Sequence, residues 1–361
     1  MKLILLVYWY PLVTMYLYCI NYELDGSLRY IGASLHRRYC NEAFIYAILG
    51  YYLLVILVWK LKNTLFSFEK IKSNELSRSI FVFLFLVVSI IAFPRAFGVG
   101  NERWNLIPGP WVVVFIAMNL VLFTSYVSLK QKSSILHFII LIISFIGGER
   151  ANSVIVLVLF FLFIPHKSIM TERKIKYYYG VLFFLLAVLG IAVQSWRSGK
   201  IFSSQDIYTN LISLTTVSDV VHIYFSAFNY VDKYPLTINP LINEVASMFN
   251  IPVYGGAGLE VDYNFTEILR KHIQNYGGGL FYTEGVLIFG KVGVLIHTFL
   301  YGYLIRFLYL NKNRFAQILM LVFITLQMRI QWYGFMYIYT PVWLTYLLVV
   351  FLEKLNRIKS F

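Results

Sequence analysis

The stretch Tyr276–Val294, YGGGLFYTEGVLIFGKVGV, restricts the fold of this 361-residue chain more than any other. Three consecutive glycines precede an apolar segment whose single acidic residue is Glu284, and Gly290 and Gly293 interrupt the chain again before a long apolar run. Glycine-interrupted apolar segments are typical of half-helices in membranes, where irregular backbone must line a cavity. An ionisable residue in such a segment is a functional candidate. The stretch therefore predicts a re-entrant half-helix that carries Glu284.

The composition of the whole chain agrees with a membrane location. Hydrophobic residues make up 59% of the sequence and charged residues 13%, whereas soluble domains typically carry about 25% charged residues. The apolar runs are too long for barrel strands, which need about ten residues, and suit helical spans, which need about twenty. We predict an all-α, polytopic membrane helix bundle with about ten transmembrane helices. The candidate spans are Leu3–Ile20, Ala43–Trp59, Ile80–Phe97, Trp111–Leu129, Ile135–Ile146, Val154–Pro165, Tyr177–Val193, Val292–Leu310, Ile318–Met328 and Phe335–Leu352.

The distribution of charge predicts which ends of the spans face the cytoplasm. Leu3–Ile20 lacks a small-x-small cleavage site and is interpreted as a retained first span. If the N-terminus is cytoplasmic and ten spans follow, the inner segments contain 18 of the 31 basic residues but 4 of the 17 acidic residues. This is the positive-inside pattern, which predicts that both termini are cytoplasmic. The basic composition therefore reflects topology and does not indicate nucleic-acid binding.

A long segment without a complete span separates the seventh and eighth candidate helices. We predict three regions along the chain: transmembrane helices 1–7 in residues 1–195, an outer loop in residues 196–291, and transmembrane helices 8–10 in residues 292–361. From Asp206 to Lys233, apolar residues recur in steps of three and four. This spacing predicts an amphipathic helix that lies on the bilayer or caps the bundle.

The polar face of this amphipathic helix offers a first candidate for acid–base chemistry. It contains Thr215, Asp219, His222 and Ser226. Asp219 and His222 are i,i+3 neighbours, and a carboxylate beside an imidazole raises its basicity, which suits a general base. The alternative is a solvated polar face without catalytic function.

The cysteines and potential metal ligands bear on two further features, a disulfide and a metal site. Cys19 and Cys40 flank the first outer loop. A disulfide is allowed on the outer side, but two buried thiols are the favoured interpretation. No group of His, Cys, Asp and Glu has the spacing of a metal site in the sequence. We therefore expect no metal and no other cofactor.

Arginine is concentrated on the predicted outer side, where nine of the 14 arginines lie. Its planar guanidinium holds phosphate or carboxylate in a bidentate way, and beside an apolar span it is costly without a partner. These residues indicate a site for a phosphorylated or acidic substrate, with simple ion pairs to nearby acidic residues as the alternative. Arg270, Lys271 and His272 form a compact basic cluster that either holds phosphate or anchors an interface.

Three motifs together resemble those of one family. A glycine-rich turn precedes Tyr282–Glu284, and Phe289–Gly293 (FGKVG) opens a long helix. Gly147–Ala151 (GGERA) lies at an outer turn, and Trp196–Gly199 (WRSG) lies where the long loop begins. In this order, and with the span count and the late outer loop, the motifs resemble the O-antigen polymerases, the Wzy-type polymerases of lipid-linked oligosaccharide repeat units. The residues before Pro110 match nothing specific to that family.

The resemblance implies a glycosyltransferase of the bacterial inner membrane, similar in layout to GT-C glycosyltransferases and O-antigen ligases, with a periplasmic active site. It implies transfer of a growing glycan from undecaprenyl diphosphate to a hydroxyl of the next lipid-linked repeat unit, in lipopolysaccharide or other surface-polysaccharide biosynthesis. The expected partners are the two undecaprenyl-diphosphate-linked oligosaccharides and membrane lipids, with a chain-length regulator as a further candidate. No cofactor, nucleotide sugar or nucleic acid is expected.

The resemblance also suggests which outer basic residues contact the substrate. Arg150 and Arg197 are expected to hold the leaving diphosphate. Arg270, Arg329 and His272 are expected to provide further phosphate or sugar contacts.

The proton acceptor remains a choice between two residues. Glu284 is one candidate and His222, oriented by Asp219, is the other. A structural brace that shapes the half-helix is the alternative role of Glu284.

Two other function classes remain open from the sequence. A glycosyltransferase that uses polyprenyl-phosphate sugars would place its base in the first outer loop, where Glu23 and Asp25 lie, but that loop is short. A flippase or other transporter would show pseudo-symmetric halves, and no such symmetry is detected in the sequence.

The predicted topology can be tested with alkaline phosphatase fusions, because this reporter is active only outside the cytoplasm. A fusion after Tyr230 is expected to be active, since the long loop is predicted to be outer. A fusion after Ser73 is expected to be silent at equal expression. The opposite pair of results would reverse the orientation and remove the outer site.

Overall fold

The computed structural model describes residues 2–21, 33–59, 61, 75–97, 109–124, 132–146, 215–249, 265–272, 279–311, 313–327, 330–331 and 336–358. Within these ranges the regular elements are all helical. The helices are α1 (Lys2–Asn21), α2 (Ala33–Trp59), α3 (Glu75–Ala92), α4 (Gly109–Thr124), α5 (Lys132–Ile146), α6 (Thr215–Lys233), α7 (Asn239–Met248), α8 (Phe265–Arg270), α9 (Tyr282–Phe289), α10 (Gly293–Leu310), α11 (Arg314–Thr325) and α12 (Met336–Ile358). A 3₁₀ turn, Pro94–Phe97, follows α3.

Three of the described helices are long and apolar enough to cross a membrane: Tyr39–Trp59 within α2, α3, and α10. The all-helical fold and these spans are compatible with a helical membrane protein. The prediction of about ten spans stays a prediction, because the candidate spans Val154–Pro165 and Tyr177–Val193 lie outside the described residues.

Contacts divide the chain into two compact units. The first unit comprises Met1–Thr64 and Thr209–Thr340, and the second comprises Leu65–Tyr208 and Pro341–Phe361. The first unit therefore joins the N-terminal helices α1 and α2 to the helices of the long loop. The predicted three-region division follows the order of the sequence and is not tested by these contacts.

The core of the first unit is aromatic. Tyr8 of α1 packs against Phe281 and Tyr301, with ring centroids 4.9 and 5.1 Å apart. Tyr224 of α6 packs against Tyr282 at 5.7 Å, and its hydroxyl donates a hydrogen bond to the Ala43 carbonyl at 2.9 Å. These contacts tie α1, α2, α6 and α10 to the segment that carries Glu284.

The second unit has a polar contact at each of two helix pairs. The Ser133 hydroxyl donates to the Glu75 carboxylate at 2.8 Å, which links α5 to α3. The His137 and Asn119 side chains are hydrogen-bonded at 3.0 Å, which links α5 to α4. Buried polar groups in an apolar bundle need such partners, because an unpaired one is costly.

The two cysteines form a disulfide, so the favoured interpretation of two buried thiols is wrong. The end of α1 and the start of α2 lie side by side, with the Cys19 and Cys40 Cα atoms 5.9 Å apart. This separation is within the usual range for a disulfide. The sequence alone does not reveal this pairing, because the helices on either side of the loop bring the two residues together.

The predicted amphipathic helix exists as α6, but it is internal. The described helix begins at Thr215, and residues 206–214 lie outside the described ranges. Every residue from Val220 to Phe228 is buried, because the helix packs against α1, α2 and α9. Of the two expected positions, the bilayer surface is therefore excluded for this part, and a position that caps the bundle stays a prediction. On the polar face of α6, His222 and Ser226 are buried, and the Ser226 hydroxyl donates to the His222 carbonyl of the preceding turn at 2.8 Å.

Glycines allow α9 and α10 to approach each other at backbone distance. A Cβ atom on Gly293 would overlap the carbonyl oxygen of Gly285, and a Cβ atom on Gly285 would overlap that of Gly293. Between the two helices, Gly290 has a φ of 69°, which non-glycine residues rarely adopt. The predicted glycine break is confirmed at this position, since α9 ends at Phe289 and α10 begins at Gly293.

Alanine substitution should therefore destabilise this helix pair. Gly285→Ala and Gly293→Ala are each expected to lower the free energy of unfolding by about 1–3 kcal/mol, the usual cost of overpacking. Thermal unfolding of the detergent-purified protein would measure the loss. Gly50→Ala is the matched control, because a Cβ there meets the Thr298 hydroxyl at 3.1 Å, a side-chain atom that can shift. Equal stability of all three variants would contradict the close backbone packing.

Candidate functional site

The segment before α9 is held by backbone hydrogen bonds. The Phe281 N–H donates to the Gln331 carbonyl at 3.0 Å, and the Thr283 N–H donates to the Leu280 carbonyl at 2.8 Å. Leu280 to Leu287 are all buried. The half-helix is thus enclosed by protein over most of its length, and Glu284 lies in its first turn.

Glu284 lies in a buried cluster of three potential ligands, which we call the Glu–His cluster: Glu244, Glu284 and His297. Glu284 is 3% exposed and His297 is 5% exposed. One side-chain ligand atom of each residue lies within 4.8 Å of the others. The His297 Nε2 is 3.9 Å from the Glu284 Oε2, which is too long for a hydrogen bond. That Oε2 accepts no hydrogen bond from the described residues.

The close approach of α9 and α10 brings two members of this cluster together. A Cβ on Gly285 would lie 2.8 Å from the His297 Cβ, so the glycine next to Glu284 leaves room for the histidine. The third member comes from α7, which packs against α9. The segment before α7 is tied to α9 because the Thr237 N–H donates to the Leu287 carbonyl at 3.1 Å.

Glu244 is the least buried member of the Glu–His cluster. The Tyr339 hydroxyl donates to its Oε1 at 3.4 Å. Burial raises the pKa of Glu244 to about 7, against the opposing effect of this hydrogen bond. The raised pKa means that burial disfavours the charged form of this carboxyl.

Lys291, in the turn between α9 and α10, forms ion pairs with two carboxylates. The Lys291 ammonium is 2.9 Å from the Glu42 carboxylate and 3.1 Å from the Asp232 carboxylate, and it lies 5.5 Å from the Tyr39 ring centroid. Glu42 is close to the disulfide-bonded Cys40 in the sequence of α2. The turn after the half-helix is therefore fastened to both α2 and α6.

His222, the second candidate base, is buried in α6 at 4% exposure. Burial lowers its pKa to about 4, so its imidazole is neutral at pH 7. The proposed pairing with Asp219 lies outside the described side chains, since the structure describes only the backbone at that position. The alternative of a solvated polar face is wrong for His222.

The basic residues expected to bind substrate are mostly outside the described part of the chain. Arg150, Arg197 and Arg329 lie in ranges that are not described, and the Arg270 side chain is not described either. His272 is exposed, and its ring lies against Tyr230 and Tyr234 with centroids 5.2 and 4.4 Å away. The assignment of the four arginines and His272 to a substrate site stays a prediction.

Glu244, His297 and Tyr339 were missed by the sequence reasoning. His297 carried a usable signal, because an ionisable residue within a long apolar span is a functional candidate. Glu244 carried none, since it lies in a proline-rich stretch of a loop and 40 residues before Glu284. Only packing of α7 on α9 brings these carboxylates together.

This arrangement can exchange protons with a substrate or hold a cation, because it combines two carboxylates and an imidazole in a largely buried space. No protein family, curated protein or solved structure matches the chain at a significant level.

Proposed function

We propose that this protein polymerises undecaprenyl-diphosphate-linked oligosaccharide repeat units on the outer face of a bacterial inner membrane. The observation that carries the proposal is Glu284, a buried carboxylate in a glycine-broken half-helix. The motif resemblance around it, from the triple glycine to Gly293, supports the choice of family.

The reaction needs two contributions from the protein. The acceptor hydroxyl oxygen forms a bond to the anomeric carbon of the donor glycan, and the bond from that carbon to the diphosphate oxygen breaks. The diphosphate leaves with the electron pair, so arginine side chains must stabilise its charge. A base must remove the hydroxyl proton. We assign stabilisation of the leaving diphosphate to Arg150 and Arg197, with Arg270, Arg329 and His272 as further phosphate or sugar contacts.

The outer location of the site is supported by the disulfide. Disulfides persist in oxidising compartments and are rare in the cytoplasm, and Cys19 and Cys40 flank the loop that the charge distribution predicts to be outer. The Lys291 ion pair with Glu42 connects the start of α10 to the same end of α2. The half-helix is thus joined to the end of the bundle that carries the disulfide.

The function can be tested with purified protein in detergent and short-chain lipid-linked repeat units. Formation of a glycan longer than one repeat unit is expected, without a nucleotide sugar. Transfer that occurs only from a polyprenyl-phosphate sugar would contradict the proposal and favour a GT-C transferase of that type. Movement of lipid-linked units across vesicles without any polymer would favour a transporter.

The role of Glu284 can be tested by comparing Gln and Ala at this position. If it is the base, Glu284→Gln lowers polymerisation by roughly a hundredfold or more, the usual size of a general-base contribution, while the protein folds normally. If it is a brace, Gln retains activity because it still forms hydrogen bonds, and Glu284→Ala destabilises the protein. An active Gln variant would assign the base to His222, and His222→Ala should then be inactive.

A further inference from the structure

We propose that Glu244, Glu284 and His297 bind one divalent transition-metal cation, for which Zn²⁺ is the probe. The site stands on geometry and charge and does not rest on the polymerase function. The three ligands come from three helices, α7, α9 and α10, so no spacing motif in the sequence predicts this site.

The distances suit a bound ion better than direct contacts. Zinc binds imidazole nitrogen at about 2.0–2.1 Å and carboxylate oxygen at about 2.0–2.2 Å. Two ligands of one tetrahedral ion are therefore about 3.4 Å apart, and up to about 4 Å apart at wider angles. The 3.9 Å between the His297 Nε2 and the Glu284 Oε2 lies at the upper end of this range and exceeds the length of a hydrogen bond. The three ligand atoms lie within 4.8 Å of one another, so side-chain rotation must draw them closer around the ion.

A proton shared between the two carboxylates leaves one oxygen of Glu284 unexplained. Hydrogen bonds between a carboxylic acid and a carboxylate are short, with oxygen atoms about 2.5–2.7 Å apart. Glu244 accepts from the Tyr339 hydroxyl, while the Glu284 Oε2 has no hydrogen-bond partner among the described residues. This Glu284 oxygen is therefore available to a cation.

Charge balance also favours a cation. A buried carboxylate is costly unless it is paired or coordinates a metal. Within the described part of the chain, no lysine or arginine forms an ion pair with Glu244 or Glu284, and the nearby Lys291 pairs with Glu42 and Asp232. A divalent ion would neutralise both carboxylates at once.

The surroundings orient the ligands as they do in known metal sites, where outer groups fix the coordinating side chains. The Tyr339 hydroxyl holds Glu244, and the Phe281 ring stacks on the His297 ring with centroids 5.3 Å apart. The mixture of imidazole and carboxylate ligands suits zinc more than magnesium or calcium, which prefer oxygen alone. Three protein ligands leave a fourth position for water or a substrate oxygen.

The proposed ion changes what Glu284 does in the polymerase. A carboxylate that coordinates a cation is a ligand rather than a free base, so the proton acceptor would then be His222. Metal binding is measured without substrate, and failure of the site is therefore distinct from failure of the proposed function.

The test measures zinc bound to the full chain, purified in detergent on a tag without histidine. After removal of metal with a chelator, the wild-type protein is equilibrated with Zn²⁺ and separated from free ion, and elemental analysis is expected to find about one zinc per chain. Glu244→Gln and Glu284→Gln are each expected to weaken Zn²⁺ binding by at least about tenfold, the smallest loss usual when a ligand shell is disturbed. His297→Gln should do the same.

Glu353→Gln is the matched control, because it removes one carboxylate from α12 outside the Glu–His cluster. It is expected to bind zinc like the wild type. Size-exclusion profiles identify misfolded variants, and Glu244→Gln is the decisive one because glutamine still accepts the Tyr339 hydrogen bond. Wild-type protein without bound zinc, or equal zinc content in Glu244→Gln and Glu353→Gln, would overturn the proposal.

Discussion

The backbone contact between Gly285 and Gly293 is the constraint on which the candidate site depends. It allows α9 to lie directly against the start of α10, since any Cβ atom at either position would overlap a carbonyl oxygen. This contact sets the distance between Glu284 and His297. Glu284 is one residue before Gly285, and His297 is four residues after Gly293. The positive φ of Gly290 reverses the chain between the helices. A site of this kind needs backbone freedom and close approach together.

Burial then determines the chemistry of the Glu–His cluster. Glu284 and His297 are almost completely enclosed, so solvent screens a charge on Glu284 only weakly. The cluster must be balanced by protons or by the proposed cation. Whichever base serves the proposed polymerase, the half-helix is rigidly held by aromatic packing from Tyr8 and Tyr224, by the disulfide-linked end of α2 and by Lys291. Such pre-organisation is what charge stabilisation in a transferase requires.

The sequence predicted the helical class well because hydrophobic length is a local property of the chain. Val292–Leu310 coincides with α10 to within one residue, and Ala43–Trp59 lies inside α2. It failed in part for α6, where a period of three to four residues was interpreted as a helix on the bilayer or capping the bundle, with a solvated polar face as the alternative to a catalytic one. Periodicity reveals that a helix has two faces, but it cannot reveal that other elements bury His222 and Ser226 on the polar face. The disulfide was missed for a related reason, since only the pairing of α1 with α2 brings Cys19 to Cys40.

The sequence by itself determined that the chain forms long apolar helices and that a glycine break accompanies Glu284, because composition and glycine positions act within a few residues. Tertiary structure alone decided the neighbours of Glu284. Glu244 and His297 are 40 residues before and 13 residues after it in the sequence, and the packing of α7 and α10 on α9 brings the three together. A side chain's charge state and its capacity to bind an ion depend on what surrounds it in space, and these surroundings come from distant parts of the chain.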